Sequence, residues 1–312
     1  MGNNTSRRNF IKTTGLFGVG MMANPLSSMS DTENGVLDVA CQTYTWYSYY
    51  NRENKVWEKD VPSSFADLKK AGFKGYEPSF KDTGHVSKLT SHLSTHHVAV
   101  KSMYVNSLLH DEKSIEESIK SVLAIAKEAR KIGVEIVVTN PQPIEWGKAI
   151  YKDDKQLKLQ ARSLNILGQK LRGLGMKLAY HNHDIEMRQS AREFHHMMLN
   201  TDPENVFLCL DAHWIYRGAG NSQIALFDIM KLYDKRIVEL HLRQSKKGIW
   251  SEVFGDGDID YNLLAEKLLA NNIKPHLVLE QAVEKGTPHT LGSIEAIGKS
   301  LDNVKEVFRD FK

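Results

Sequence analysis

Five short, largely apolar runs in this chain close on a side chain able to bind a metal ion or move a proton. The run 73–76 ends at Glu77, 176–180 at His181 with His183 two residues on, 206–210 at Asp211, 236–240 at His241 and 275–279 at Glu280. Alternation along a strand puts His181 and His183 on one face and Tyr180 and Asn182 on the other. Taken singly, most of these residues have ordinary explanations. The histidines read as a hydrogen-bonded core pair, Asp211 as a cap or turn former, and Glu77 as a partner for a neighbouring loop. His241 shares its strand face with Glu239 and Arg243, which has an internal salt-bridge cluster as its ordinary reading. Glu280 is harder to explain, because a carboxylate closing a buried apolar strand needs a partner. One shared site accounts for all of them at once. Two carboxylates about 4 Å apart repel by roughly 4 kcal/mol at an effective dielectric of about 20, and a bound divalent cation removes that penalty. Mixed imidazole and carboxylate ligation suits zinc, manganese, cobalt or iron more than calcium.

The elements that must position these residues alternate regularly. Strands are predicted at 37–43, 73–78, 98–105, 134–139, 176–180, 206–211, 236–241 and 275–280. Helices are predicted around Phe65 and Leu68 and at 112–131, 154–173, 190–200, 221–233, 260–271 and 293–308. The helix 112–131 carries Ile115, Ile119, Val122, Leu123 and Ala126 at close to 3.6-residue spacing. The aromatic stretch Tyr44, Trp46, Tyr47, Tyr49 and Tyr50 reads as a loop. Short β-rich runs bridged by helices imply right-handed crossovers and a parallel sheet. Eight units within residues 35–312 fit an α/β chain folded as one (β/α)8 TIM barrel, for which about 250 residues is typical. An open doubly wound sheet would want a glycine fingerprint after strand one, and none is there. In such a barrel the strand ends converge on a single mouth.

Composition narrows the partners. With 41% hydrophobic and 25% charged residues the chain is ordinary globular material, and a net charge of +3 argues for neither nucleic acid nor an anionic membrane. Residues 1–34 stand apart. A twin arginine, Arg7-Arg8, precedes a mildly apolar run at 13–23 that is too short for a stable membrane span, followed by a polar linker. This resembles a twin-arginine export signal and implies a periplasmic location. Cys41 and Cys209 fall in predicted strands far apart in the fold and are expected to be free, buried thiols.

The stretches Gly75-Tyr-Glu77, Tyr180-His-Asn-His183 through Glu186, Leu210-Asp211, His241-Leu-Arg243, Phe254-Gly-Asp-Gly-Asp-Ile259 and Val278-Leu-Glu280 together carry a family resemblance. The chain from about Gly35 to its end resembles the sugar phosphate isomerase/epimerase group of the xylose-isomerase-like TIM barrels. The resemblance implies one divalent metal bound by His181, Asp211, His241 and Glu280, with His181 standing where the family has glutamate. That exchange removes one of the two carboxylates the epimerases use as an acid/base pair. His183 could replace it, since histidine titrates near neutral pH. Glu280, His183 and His181 are therefore the candidate catalytic groups, and Glu77, His110, Arg243 and Trp214 the candidate substrate contacts.

The implied chemistry is proton abstraction beside a carbonyl of a sugar or keto-sugar, giving an enediolate. Isomerisation and epimerisation are the first expectation. Elimination from a 3-keto-glycoside or related keto-sugar is the alternative. A non-catalytic sugar-binding barrel and a nuclease are the readings from other classes, the nuclease lacking both a multi-zinc ligand set and a basic face. A homo-oligomer is left open.

Overall fold

A computed structural model describes residues 37–311. The expected export signal therefore lies outside the described residues, apart from which the chain from Leu37 onward is one unit. The strands are β1 Val39–Gln42, β2 Gly75–Glu77, β3 Ser102–Tyr104, β4 Ile136–Thr139, β5 Lys177–His181, β6 Val206–Asp211 and β7 Ile237–Leu242. A small hairpin, β8 Ser245–Lys246 with β9 Ile249–Trp250, follows before β10 His276–Leu279. Eight of them run parallel in the order β2-β1-β10-β7-β6-β5-β4-β3. Two isolated parallel bridges, Gly75 to Ala99 and Ser79 to Tyr104, join β2 to β3 across the remaining gap. This is the expected (β/α)8 barrel.

Period-two alternation sorts the strand side chains into two layers. Leu178, Tyr180, Leu208, Leu210, Leu240, Leu242, Leu277 and Leu279 are all fully buried or nearly so in the large core that also contains the helix residues. Burying one such side chain contributes about 1.5–3 kcal/mol. The alternate positions face the barrel interior, where Ile136, Val138, Ala179 and Cys209 form a small separate cluster with Tyr104 and Val238 packed on it. Register then sets the height of the polar groups: Asp211 lies beside His241, and His181 beside Cys209. Gly75 belongs to the β1–β2 seam, where a Cβ would come 3.1 Å from the Ala40 Cα. Cys41 and Cys209 are both buried and free, as expected. Among the described residues no helix is long and apolar enough to cross a membrane.

The aromatic stretch after β1 is not a loop. Thr43–Arg52 is a helix, capped by the Gln42 side chain, which accepts the Tyr44 N–H. Trp46, Tyr49 and Tyr50 face the core at helical spacing while Tyr44 and Tyr47 stay partly exposed. Trp46 stacks on Trp57 with ring centroids 4.5 Å apart, a tertiary contact that overrides the weak helix propensity of aromatic residues. The helix expected at 190–200 starts earlier, as part of Asp184–Asn200, and breaks at Gln189, Ser190 and Ala191, whose φ angles are 54°, 60° and 54°. The single helix expected at 221–233 is preceded by a separate short one, Ala212–Gly218.

Candidate active site

The strand ends bring His181, Asp211, His241 and Glu280 together at the carboxyl mouth, with one ligand atom from each lying within 4.8 Å of the others. All four are buried, and the polar atoms facing each other are incompletely satisfied. His181 Nδ1 and Nε2 and Asp211 Oδ2 have no hydrogen-bond partner among the described residues, although His181 Nε2 is 3.6 Å from Asp211 Oδ2. Buried polar atoms without partners are rare and call for an explanation. Two imidazoles and two carboxylates converging, with unpartnered atoms on His181 and Asp211, form a donor set suited to a divalent cation such as zinc. These residues fit the metal implied by the sequence.

The set is braced from below. The Nε2 of His241 sits 3.1 Å from Glu239 Oε1 and 3.3 Å from Glu77 Oε1, while its Nδ1 faces Glu280 Oε2 at 3.2 Å. Carboxylates behind a ligating histidine fix its ring orientation and tautomer. Ser102 donates to Glu77 Oε2 at 2.7 Å. Burial opposes ionisation of Glu77, yet His241 holds its carboxyl at about 2. Burial and the neighbouring Glu77 push Glu239 up to about 8. Burial disfavours a charged His241, but Cys209, Glu77 and Glu280 outweigh it and raise that histidine well above its usual value. The face read from sequence as a salt-bridge cluster is one, and His241 also stands among the four convergent donors.

Glu280 meets a second partner. Arg243, almost wholly buried, donates from Nη2 to Glu280 Oε2 at 2.9 Å and from Nε to the Glu280 carbonyl at 2.9 Å. Despite burial, Arg243 and then His241 hold the Glu280 carboxyl at about 2. The guanidinium lies 4.4 Å from the Trp250 ring, 5.1 Å from Trp214 and 5.8 Å from Tyr44. The Gly-rich segment seen in the sequence holds this region in place. At Gly257 a Cβ would fall 2.3 Å from the Ser245 carbonyl oxygen, and the Gln244 amide donates to the Gly255 and Ile259 carbonyls at 2.9 Å each.

His183 stands beside the cluster, its ring 4.8 Å from His181, 5.2 Å from Trp146 and 5.5 Å from Trp214. Burial and His181 push its pKa well below the usual value, and its Nδ1 is unpartnered. Behind it, Asn140 donates to the His181 carbonyl at 3.0 Å and to Glu186 Oε1 at 3.1 Å, while Glu186 Oε2 accepts the His183 N–H at 2.7 Å. This locks the histidine pair to the start of the following helix. Burial, then repulsion from Glu193, raises Glu186 to about 7. An acid raised on folding stabilises the fold fully below its unfolded value of 4.5 and loses that contribution as pH rises through about 7. Glu186→Gln, which keeps the neutral shape, should therefore gain on the wild type by on the order of 1–3 kcal/mol between pH 5 and 8. Urea unfolding at the two pH values measures it, and parallel curves for both proteins would refute it.

A cavity of about 480 Å³ adjoins the cluster, and His183, Trp214, Arg243 and Glu280 are in its wall. Two expected substrate contacts stand elsewhere. Glu77 is fully buried beneath His241 and does not line the cavity. His110 is buried beside the Lys152–Glu193 ion pair, and burial and Lys152 lower its pKa. Sequence reading missed Trp146 and Tyr104, both in the cavity wall. Trp146 lies in a loop without periodicity and left no signal, whereas Tyr104 closes the third strand and was findable by the strand-end rule.

Relatives agree with this architecture. The chain is 27% identical over 278 residues to an inosose dehydratase of Clostridium botulinum, covering 80% of this chain and 90% of that protein. A sugar phosphate isomerase/epimerase from Parabacteroides distasonis superposes with a TM-score of 0.68 at 17% identity, over 93% of this chain and 99% of that one. The IolI protein, solved with a zinc atom, superposes at 0.64 and 16% identity, over 88% and 99% of the two chains. The model of the xylose isomerase-like TIM barrels matches residues 65–306, and the chain belongs to that family.

Proposed function

We propose that this chain is a divalent-metal-dependent enzyme that removes the proton beside a carbonyl of a keto-sugar and then expels the group at the β position. The observation that carries this reading is the position of Glu280, the carboxylate that belongs both to the four-donor cluster and to the cavity wall. His181, Asp211, His241 and Glu280 would hold the metal. When bound, such a cation polarises the carbonyl and makes the neighbouring C–H acidic.

The protein's own groups do the rest. Arg243 and His241 keep Glu280 ionised and fix its Oε2, so the carboxylate enters the reaction as a proton acceptor. Once protonated, it returns the proton to the departing oxygen on the same face. The C–H and C–O bonds break, a C=C bond forms, and the products are an unsaturated ketone and an alcohol or water. A single carboxylate suits this same-face elimination better than inversion, which needs a donor on the opposite face. The inosose dehydratases aligned along most of the chain support the same reading. Epimerisation or isomerisation through the same enediolate is the second reading. Its support is His183, a further proton-transfer group in the same wall. The twin arginine supports export, where neutral glycosides are met more often than sugar phosphates.

Incubation with 3-keto-glycosides in deuterated water separates these outcomes. Loss of the β group with appearance of enone absorbance is expected. Deuterium uptake at carbon without release of that group would move the assignment to epimerisation. Saturable binding with neither would make the barrel a binder.

A further inference from the structure

Two aromatic side chains unused by the donor cluster stand open in the cavity wall. Tyr44, at the start of the helix after β1, is 40% exposed, and Trp146, in the loop after β4, is 52% exposed. Strands β1 and β4 lie three places apart around the ring, so the two side chains come from different sectors of the mouth. Trp146 is held rather than loose, its ring edge-on to His183 at 5.2 Å. Flat apolar faces exposed beside a polar site are a mark of ligand contact, and they match the C–H face of a sugar or a planar aglycone.

Size and charge add to this. The cavity of about 480 Å³ exceeds the roughly 200 Å³ that one hexose fills at interior packing density. Each cationic side chain in its wall is matched by an acid of the same wall: Lys148 with Glu145 at 2.6 Å, Arg188 with Asp184 at 2.5 Å, and Arg243 with Glu280 at 2.9 Å. A phosphate or carboxylate substrate would want an uncompensated guanidinium or ammonium, and the described wall offers none.

We propose, resting on the keto-sugar reading above, that the substrate is an uncharged two-ring carbohydrate derivative whose second ring lies against Trp146 and Tyr44. That ring is either an aromatic aglycone or a second sugar, and both present the same flat C–H-rich or π face. The oxygen joining the two rings is then the leaving atom. It takes the proton that Glu280 removed, releasing the second ring as an alcohol.

Calorimetry on the metal-loaded full chain tests this with phenyl β-glucoside, cellobiose, glucose and glucose 6-phosphate. None carries the keto group, so binding is read without turnover and a failure here stays distinct from a failure of the elimination chemistry. At least one two-ring ligand should bind about tenfold more tightly than glucose, a difference of about 1.4 kcal/mol. Preference between phenyl glucoside and cellobiose tells aglycone from second sugar. Trp146→Ala should bring the ratio near one, and Trp146→Phe should keep most of it, with metal content showing that each variant is folded. Equal affinities, tightest binding of glucose 6-phosphate, an unchanged ratio in Trp146→Ala, or no binding of either two-ring ligand at millimolar concentration would overturn the proposal.

Discussion

Asp211→Asn should release the metal and lower turnover by at least about a thousandfold, equivalent to roughly 4 kcal/mol of barrier. The substitution is chosen because the side chain performs two separable tasks. Its Oδ1 accepts the Trp214 N–H at 2.8 Å and caps the helix Ala212–Gly218, a bond an asparagine oxygen can keep. Its Oδ2 faces His181 with no hydrogen-bond partner, and that is the atom the amide replaces. A neutral NH2 in this place donates where a lone pair is wanted and removes one of the two negative charges of the donor set. Unfolding midpoints of the metal-free proteins should therefore stay close, while metal content by emission spectrometry collapses in the variant. Full metal occupancy in Asp211→Asn would remove this residue from the ligand set.

Glu280→Gln should cost both activity and stability. Losing a positioned proton acceptor removes typically 10²–10⁴-fold in rate, and the loss of a metal ligand adds to that. The structural cost comes from Arg243, whose guanidinium is 1% exposed and would lose its anionic partner, keeping its bond to the residue-280 carbonyl. Breaking a buried pair by removing one member typically costs about 3–5 kcal/mol. The pH dependence has a defined sign. The carboxyl is depressed from 4.5 to about 2, so its contribution is present above 4.5 and disappears as pH falls through about 2. Acid unfolding of the wild type should thus be steeper between those values than that of the variant. Thermal unfolding at pH 7 and at pH 3 checks it, and equal destabilisation at both would show that the pair does not stabilise the fold.

The barrel was legible because its strands and helices have distinct periods, and because strand ends in a parallel barrel share one mouth. The ligand candidates stand out by position: Asp211 and Glu280 each follow an uninterrupted apolar run, and His241 follows one broken only by Glu239. What failed to show in the sequence depended on distant partners. The helix Thr43–Arg52 was read as a loop because aromatic residues on both of its faces blur the 3.6 period, and its buried face is set by Trp57. The helix break at Gln189–Ala191 carries no glycine or proline to announce it. Arg243 reads as a sugar contact and lies in the cavity wall, while its bonds to Glu280 emerge only when β7 and β10 are paired. Trp146 was invisible for the opposite reason, since an isolated aromatic residue in a loop has no pattern.

Pairing of β1 with β10 joins the first described strand of the barrel to the last. A ribosome therefore releases Asp211 and His241 well before Glu280, and the fourth donor exists only once β10 has emerged. Until β10 slots between β1 and β7, the nascent chain offers an incomplete donor set, and any affinity gained by closing it is withheld. Metal capture would then report a finished ring, and a chain truncated before β10 would fail to hold the ion even with every other ligand in place.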